Sequence, residues 1–288
     1  MFLLGLLYVG FISALIAAGV GAVAIVVIAG LFAVGQLFFS DKLALASMGA
    51  KEVTPEQAPE LHEAIDRLCQ LANLPKPKVA VAETDIPNAF ATGRSQKASA
   101  VCVTRGLMQH LDRAELEGVL AHELSHIANR DVVVMTVASF LATVAGLIIR
   151  MSAWGSFGRS RDNTVAVFFA VLLVSIVVYA LSYLLLRALS RYREYAADRG
   201  AAIMTGAPAQ LAAALGKISG DIARIPSRDL RTVEGLNAFF IIPAHAKGFS
   251  LSSLFATHPP TEERIRRLLE MQAEIDARPM LTSLDAEI

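Results

Sequence analysis

The sequence predicts a mainly helical α+β protein in which a water-facing part with a small β-sheet is joined to about four transmembrane helices. Three observations lead there. The 288 residues are 55% hydrophobic and only 18% charged, with a mean hydropathy of +0.52, which is too apolar for an ordinary soluble domain of this size. The apolar residues are gathered into long uncharged runs at 2–40, 132–149 and 164–186. Between and after these runs the pattern changes to amphipathic helices and short β-rich stretches, as a folded aqueous part requires.

From Phe2 to Ser40 there is no Asp, Glu, Lys, Arg or His. One helix of that length, at 1.5 Å per residue, would far overreach a hydrocarbon core of about 30 Å. Two spans turning near Gly19-Val20-Gly21 fit better, so residues 1–40 are expected to form a transmembrane hairpin. The run lacks a basic leader and continues past the length of a signal-peptide core, which argues against cleavage. Residues 41–131 are expected to form the first part of the aqueous domain, 132–189 a second membrane hairpin, and 190–288 the rest of the aqueous domain.

Within 41–131, Thr54-Pro55-Glu56-Gln57 has capping-box spacing with Pro at the first helical position, and Leu61, Ile65 and Leu68 follow on one face. A helix to about Ala72 is predicted. Lys78–Ala82 and Ala98–Thr104 read as strands, separated by a loop from Pro87 to Gly93. Asp112 and Glu115 then form a second capping box, and Leu116, Val119, Leu120, Leu124 and Ile127 supply helical apolar spacing.

That helix carries His122-Glu123-Leu124-Ser125-His126. Positions four apart stand one above the other, so both imidazoles can bind one Zn²⁺, and Glu123 points closely enough to the same side to act on a water there as general base. By chance the pattern arises in on the order of one chain in a hundred of this length, so its helical context matters. A catalytic zinc site needs a third protein ligand.

The runs at 132–149 and 164–186 are each long enough to span a bilayer, and Met151–Asn163, with Trp154 as an interfacial anchor, joins them. Such a hairpin returns the chain to the face it left. Glu194, just beyond the second run, can therefore meet His126, just before the first. Asp198, one turn further, can accept the spare ring N–H of a ligating histidine and fix its tautomer. The bland alternative is an exposed helix in which Glu194 pairs with Arg191 and Asp198 with Arg193.

Zero net charge leaves no nucleic-acid footprint. The spans hold no ionisable group apart from Arg187 at an end, unlike a transporter, and Glu115, Glu117, Arg130 and Asp131 around the motif are unlike an intramembrane protease. Cys69 and Cys102 read as buried thiols of a reducing compartment. His62, His110 and His245 lack partner spacing and read as surface histidines. Thr261, after Pro259-Pro260, opens a helix with Ile265, Leu268 and Leu269 inward.

Four segments carry a family resemblance: NAFATG at 88–93, HELSHIANRD at 122–131, EYAAD at 194–198 and HPPTEERI at 258–265. In these, in their order and in the placing of the apolar spans, the chain resembles the HtpX-type membrane zinc metalloproteases, relatives of the CAAX prenyl protease. The resemblance implies a zincin of the gluzincin type with one Zn²⁺ per chain held by His122, His126 and Glu194. It implies Glu123 as the catalytic base, His258 as a donor to the oxyanion, Asn88 beside the substrate backbone, and Arg264 near the substrate or near His258. The implied activity is endoproteolysis of misfolded or damaged membrane proteins, in a bacterial inner membrane with the catalytic part cytoplasmic; the alternative is a catalytically silent zinc-binding membrane adaptor or scaffold, against which the sequence offers only the presence of Glu123. Lys42, Lys51, Arg130, Arg191 and Arg193 near the span ends, against Arg150, Arg159 and Arg161 at the hairpin loop, favour that orientation moderately. The implied partners are polypeptide substrates, bound by strand addition to the sheet edge, and the lipid bilayer. A loop at His245–Ser252 is expected to act as a lid.

Overall fold

The computed structural model describes residues 22–153, 164–224 and 259–284, together with Gly10 and Ser13. Eight helices and four strands are seen there: α1 (Ala22–Ser47), β1 (Ala50–Glu52), α2 (Pro59–Leu71), β2 (Lys78–Ala82), β3 (Ala89–Gly93), β4 (Ser99–Thr104), α3 (Arg105–His110), α4 (Arg113–Ala128), α5 (Asp131–Ala153), α6 (Thr164–Thr205), α7 (Pro208–Arg224) and α8 (Thr261–Leu284). They divide into two compact units, Met1–Phe38 with Val133–Leu189, and Phe39–Val132 with Ser190–Ile288.

The first unit is helical. In α5, Ala138, Val144, Ala145 and Ile148 are buried, and in α6 Ser175, Val178 and Ser182. Leu31 and Val34 of α1 and Phe169, Leu173, Val177 and Leu184 of α6 are exposed. Large apolar side chains on the outside of helices this long suit a lipid environment. Two described helices are apolar and long enough to cross a membrane, over Asp131–Ile149 and Phe169–Thr205. The expected first N-terminal span, the turn at 19–21 and Trp154 lie outside the described residues. The second apolar run and the segment that follows it form one unbroken helix of 42 residues, α6, because no Gly or Pro interrupts it before Gly200.

The second unit is built on a sheet of order β1-β2-β4-β3, with β2 and β4 parallel and both edge strands antiparallel to their neighbours. One face carries the main core, where Leu61, Ile65 and Leu68 of α2 and Val119, Leu120 and Leu124 of α4 pack with Val79, Val101 and Val103. The other face is covered by the end of α1, where Ala44 meets Ala80, Ala82, Phe90 and Cys102. The capping box at Asp112 and Glu115 is formed in both directions, which anchors the start of α4.

Several local expectations are corrected. The first aqueous helix begins at Pro59, not Pro55: Thr54 N–H bonds to Gln57 Oε1, but residues 55–57 form turns. The Pro87–Gly93 stretch is not all loop, since Ala89–Gly93 pair with β4 from Ala89 opposite Val103 to Gly93 opposite Ser99. Gly93 can end β3 because its φ is +133° and a Cβ there would lie 2.3 Å from the Ala98 carbonyl oxygen. His62 is buried, not on the surface, with Nε2 donating to the Val53 carbonyl at 3.0 Å. His110 is half-exposed and pairs with Asp221, while His245 lies outside the described residues. In α8, Leu268 is buried and Ile265 packs against the core as expected, but Leu269 is exposed and Arg264 is buried.

Candidate metal centre

The helical period of α4 places His122 and His126 one turn apart, and their Nε2 atoms stand 3.1 Å from each other. His122 is buried among the core-facing residues of this helix, so packing holds its ring, while His126 is only partly buried. Glu194 arrives from α6. Its Oε2 lies 3.7 Å from His122 Nε2 and its Oε1 3.6 Å from His126 Nε2. The three ligand atoms fall within 4.8 Å of one another.

Each imidazole is oriented from behind by a carboxylate. His122 Nδ1 is 2.9 Å from Asp198 Oδ1, and Asp198 is gripped by Arg264 through Nε at 2.9 Å and Nη2 at 2.7 Å. Arg264 is 1% exposed and its Nη1 lies 3.4 Å from Glu194 Oε2. It is not on a solvated face: the structure places it against Asp198 and Glu194, beside His122. His126 Nδ1 is 2.6 Å from Asp131 Oδ2, and Arg193 Nε forms an ion pair with Asp131 Oδ1 at 3.0 Å. The alternative pairing of Asp198 with Arg193 is thus not the one formed.

Asp131 and Arg193 were not singled out as site residues from the sequence. Five residues after His126, an unbroken helix would carry Asp131 away from the ring. Instead α4 ends at Ala128 with Asn129 as its C-cap, and Arg130 adopts a left-handed backbone with φ of +55°, which turns Asp131 back. The available signal was that bulky residue at a helix end, where Gly is usual.

Glu123 is buried beside the pair, and its carboxyl pKa is raised by burial against the opposing charges of His122 and His126. A backbone hydrogen bond from Ala91 of β3 reaches it. Burial disfavours charge on His122, but its bonds to Asp198 and Glu194 prevail and raise its pKa to about 9. The site therefore attracts positive charge. Asn88 is buried at the start of β3, and its backbone is locked to Thr104 by N–H to Oγ1 at 2.9 Å and by Thr104 N–H to its carbonyl at 2.9 Å. His258 and the His245–Ser252 segment lie outside the described residues.

The donor set fits a zinc ion. With both Nδ1 atoms directed at carboxylates, the two Nε2 atoms and the Glu194 carboxylate are left facing one another, a donor set that can hold a cation. At zinc–nitrogen bonds of 2.0–2.1 Å, tetrahedral ligands sit roughly 3.4 Å apart, close to the spacings seen.

The chain matches the model of peptidase family M48 over residues 55–272. It is 55% identical over 281 residues to Protease HtpX homolog 1 of Streptomyces coelicolor, covering 97% of this chain and 92% of that protein. It is 53% identical to Protease HtpX homolog 2 of Methanosarcina mazei and 53% to a Protease HtpX homolog of Moorella thermoacetica, each covering 96% of this chain and 94% of the relative. The fold is similar to that of the crystal structure of S. mikatae Ste24p, with a TM-score of 0.57 at 19% identity, covering 92% of this chain and 62% of that one. The chain accordingly belongs to peptidase family M48, and it is a metalloprotease.

Proposed function

We propose that the protein is a zinc-dependent endopeptidase that hydrolyses misfolded or damaged membrane proteins at the cytoplasmic face of a bacterial inner membrane. The observation that carries this reading is the convergence of His122, His126 and Glu194. Those residues would hold the ion, which when bound polarises a carbonyl and lowers the pKa of a water to about 7. Glu123 takes the proton of the attacking water and returns it to the leaving amine. Its buried setting favours the first half of that task, because a carboxylate whose pKa is raised by burial is a stronger base than a solvated one.

Strand β3 lies at an edge of the sheet and beside α4, with Ala91 bonded to Glu123. An extended peptide added to that edge would pass the base through backbone contacts alone, a mode suited to varied sequences. Asn88 at the start of the strand would hold the peptide backbone, and His258 would donate to the developing oxyanion. The long apolar helices favour substrates tethered to or looping from the bilayer.

Metal content and proteolysis of the detergent-purified protein test this reading. One zinc per chain is expected in the native protein, and its loss in Glu194→Ala. A native sample free of metal yet active would overturn it.

A further inference from the structure

We propose that Asp131 is a positioning residue that holds His126 as a metal ligand, completing a second His–Asp–Arg relay that matches the one through Asp198. The inference rests on the zinc reading above. On one side, His122, Asp198 and Arg264 form a chain of contacts at 2.9 Å and 2.7 Å. On the other, His126, Asp131 and Arg193 form a chain at 2.6 Å and 3.0 Å. Each relay starts from a histidine of α4 and includes one residue of α6, and the two have the same order of chemistry.

The physical case has three parts. Asp131 is 3% exposed, and a carboxylate so buried needs both a donor and a counter-charge, which the imidazole N–H and Arg193 supply. Accepting from Nδ1 forces the remaining lone pair of His126 onto Nε2, the atom that faces His122 and Glu194. The His126 side chain is 13% exposed against 1% for His122, so packing restrains its ring less and the carboxylate has more of the orienting to do. Arg193, adjacent to Glu194, keeps Asp131 ionised without adding net charge. Since Asp131 also begins α5, its charge lies favourably at a helix N-terminus.

The test is zinc affinity of the full-length protein in detergent, measured by competition with a chromophoric chelator, together with the visible spectrum of the cobalt-substituted form. Asp131→Ala is expected to weaken zinc binding about 10- to 100-fold and to alter the cobalt bands. Asp131→Asn, which retains an acceptor of the same shape, is expected to fall between it and the native protein, and serves if the alanine variant does not fold. The loss should shrink markedly in a His126→Ala background, because the carboxylate then has no ring to orient, whereas a merely structural role would weaken both backgrounds alike. Affinity within twofold of native in both Asp131 variants, or equal losses with and without His126, would overturn the proposal. If His126→Ala and Glu194→Ala also bind zinc as the native protein does, the failure lies with the metal reading itself.

Discussion

At the level of single side chains, the roles of Glu123 and His122 separate cleanly in experiment. Glu123→Gln is expected to retain zinc while proteolysis falls by about 10²- to 10⁴-fold, the range of a lost general base; unchanged turnover of an unfolded substrate would contradict this. His122 has a pKa raised from 6.5 to about 9 in the metal-free protein. A raised value means that its stabilising contribution is complete below about pH 6.5 and disappears as pH climbs through 9. Metal-stripped protein should therefore lose roughly 3 kcal/mol between pH 6.5 and 9.5, read from denaturant melts, and a flat profile would count against the assignment. The sequence made the two histidines visible because helical spacing is local. Glu194 was legible because two apolar runs of similar length separate it from the histidines, while Asp131 was not, since its position depends on one left-handed residue, Arg130.

Among elements, the approach of α4 to α6 determines whether Glu194 reaches the histidines. Gly200 allows it: a Cβ there would lie 1.8 Å from Ser125 Oγ and 3.0 Å from Ser125 Cβ. Gly200→Ala is expected to cost about 1–3 kcal/mol by overpacking and to weaken metal binding, with partial recovery on adding Ser125→Ala. Thermal unfolding of the single and double variants would show whether the two substitutions compensate. The helices were the readable part of this unit, because their apolar period repeats over several turns. Strand β3 was hidden within Pro-Asn-Ala-Phe-Ala-Thr-Gly, whose turn-forming residues mask five paired positions, and only pairing with β4 reveals it. The misplaced start of α2 has a similar origin: Thr54 and Gln57 make half of a capping box around a turn that does not continue as helix.

Across the whole molecule, mean hydropathy and the clustering of apolar residues indicated a membrane protein, and the two long apolar helices agree with that reading. Orientation has its own test. With Lys42, Lys51, Arg130, Arg191 and Arg193 near span ends on the catalytic side, a reporter fused after Ile288 is expected to fluoresce in the cytoplasm, and an alkaline phosphatase fused there to be inactive. The reverse pattern would place the peptidase on the opposite face.

The two Asp–Arg pairs behind the histidines also determine how the centre balances its electrical account. Asp198 is matched by Arg264 and Asp131 by Arg193, so each pair sums to nothing. A divalent ion is then offset by Glu194 and Glu123 alone, and the filled centre is neutral, which lets it be enclosed without the Born penalty of a lone buried charge. Emptied, it carries an excess of two negative charges, and the upward shifts at His122 and Glu123 identify where protons would settle. Hydrogen ions and the metal are thus rival tenants of one space, and acidification is a route to eviction.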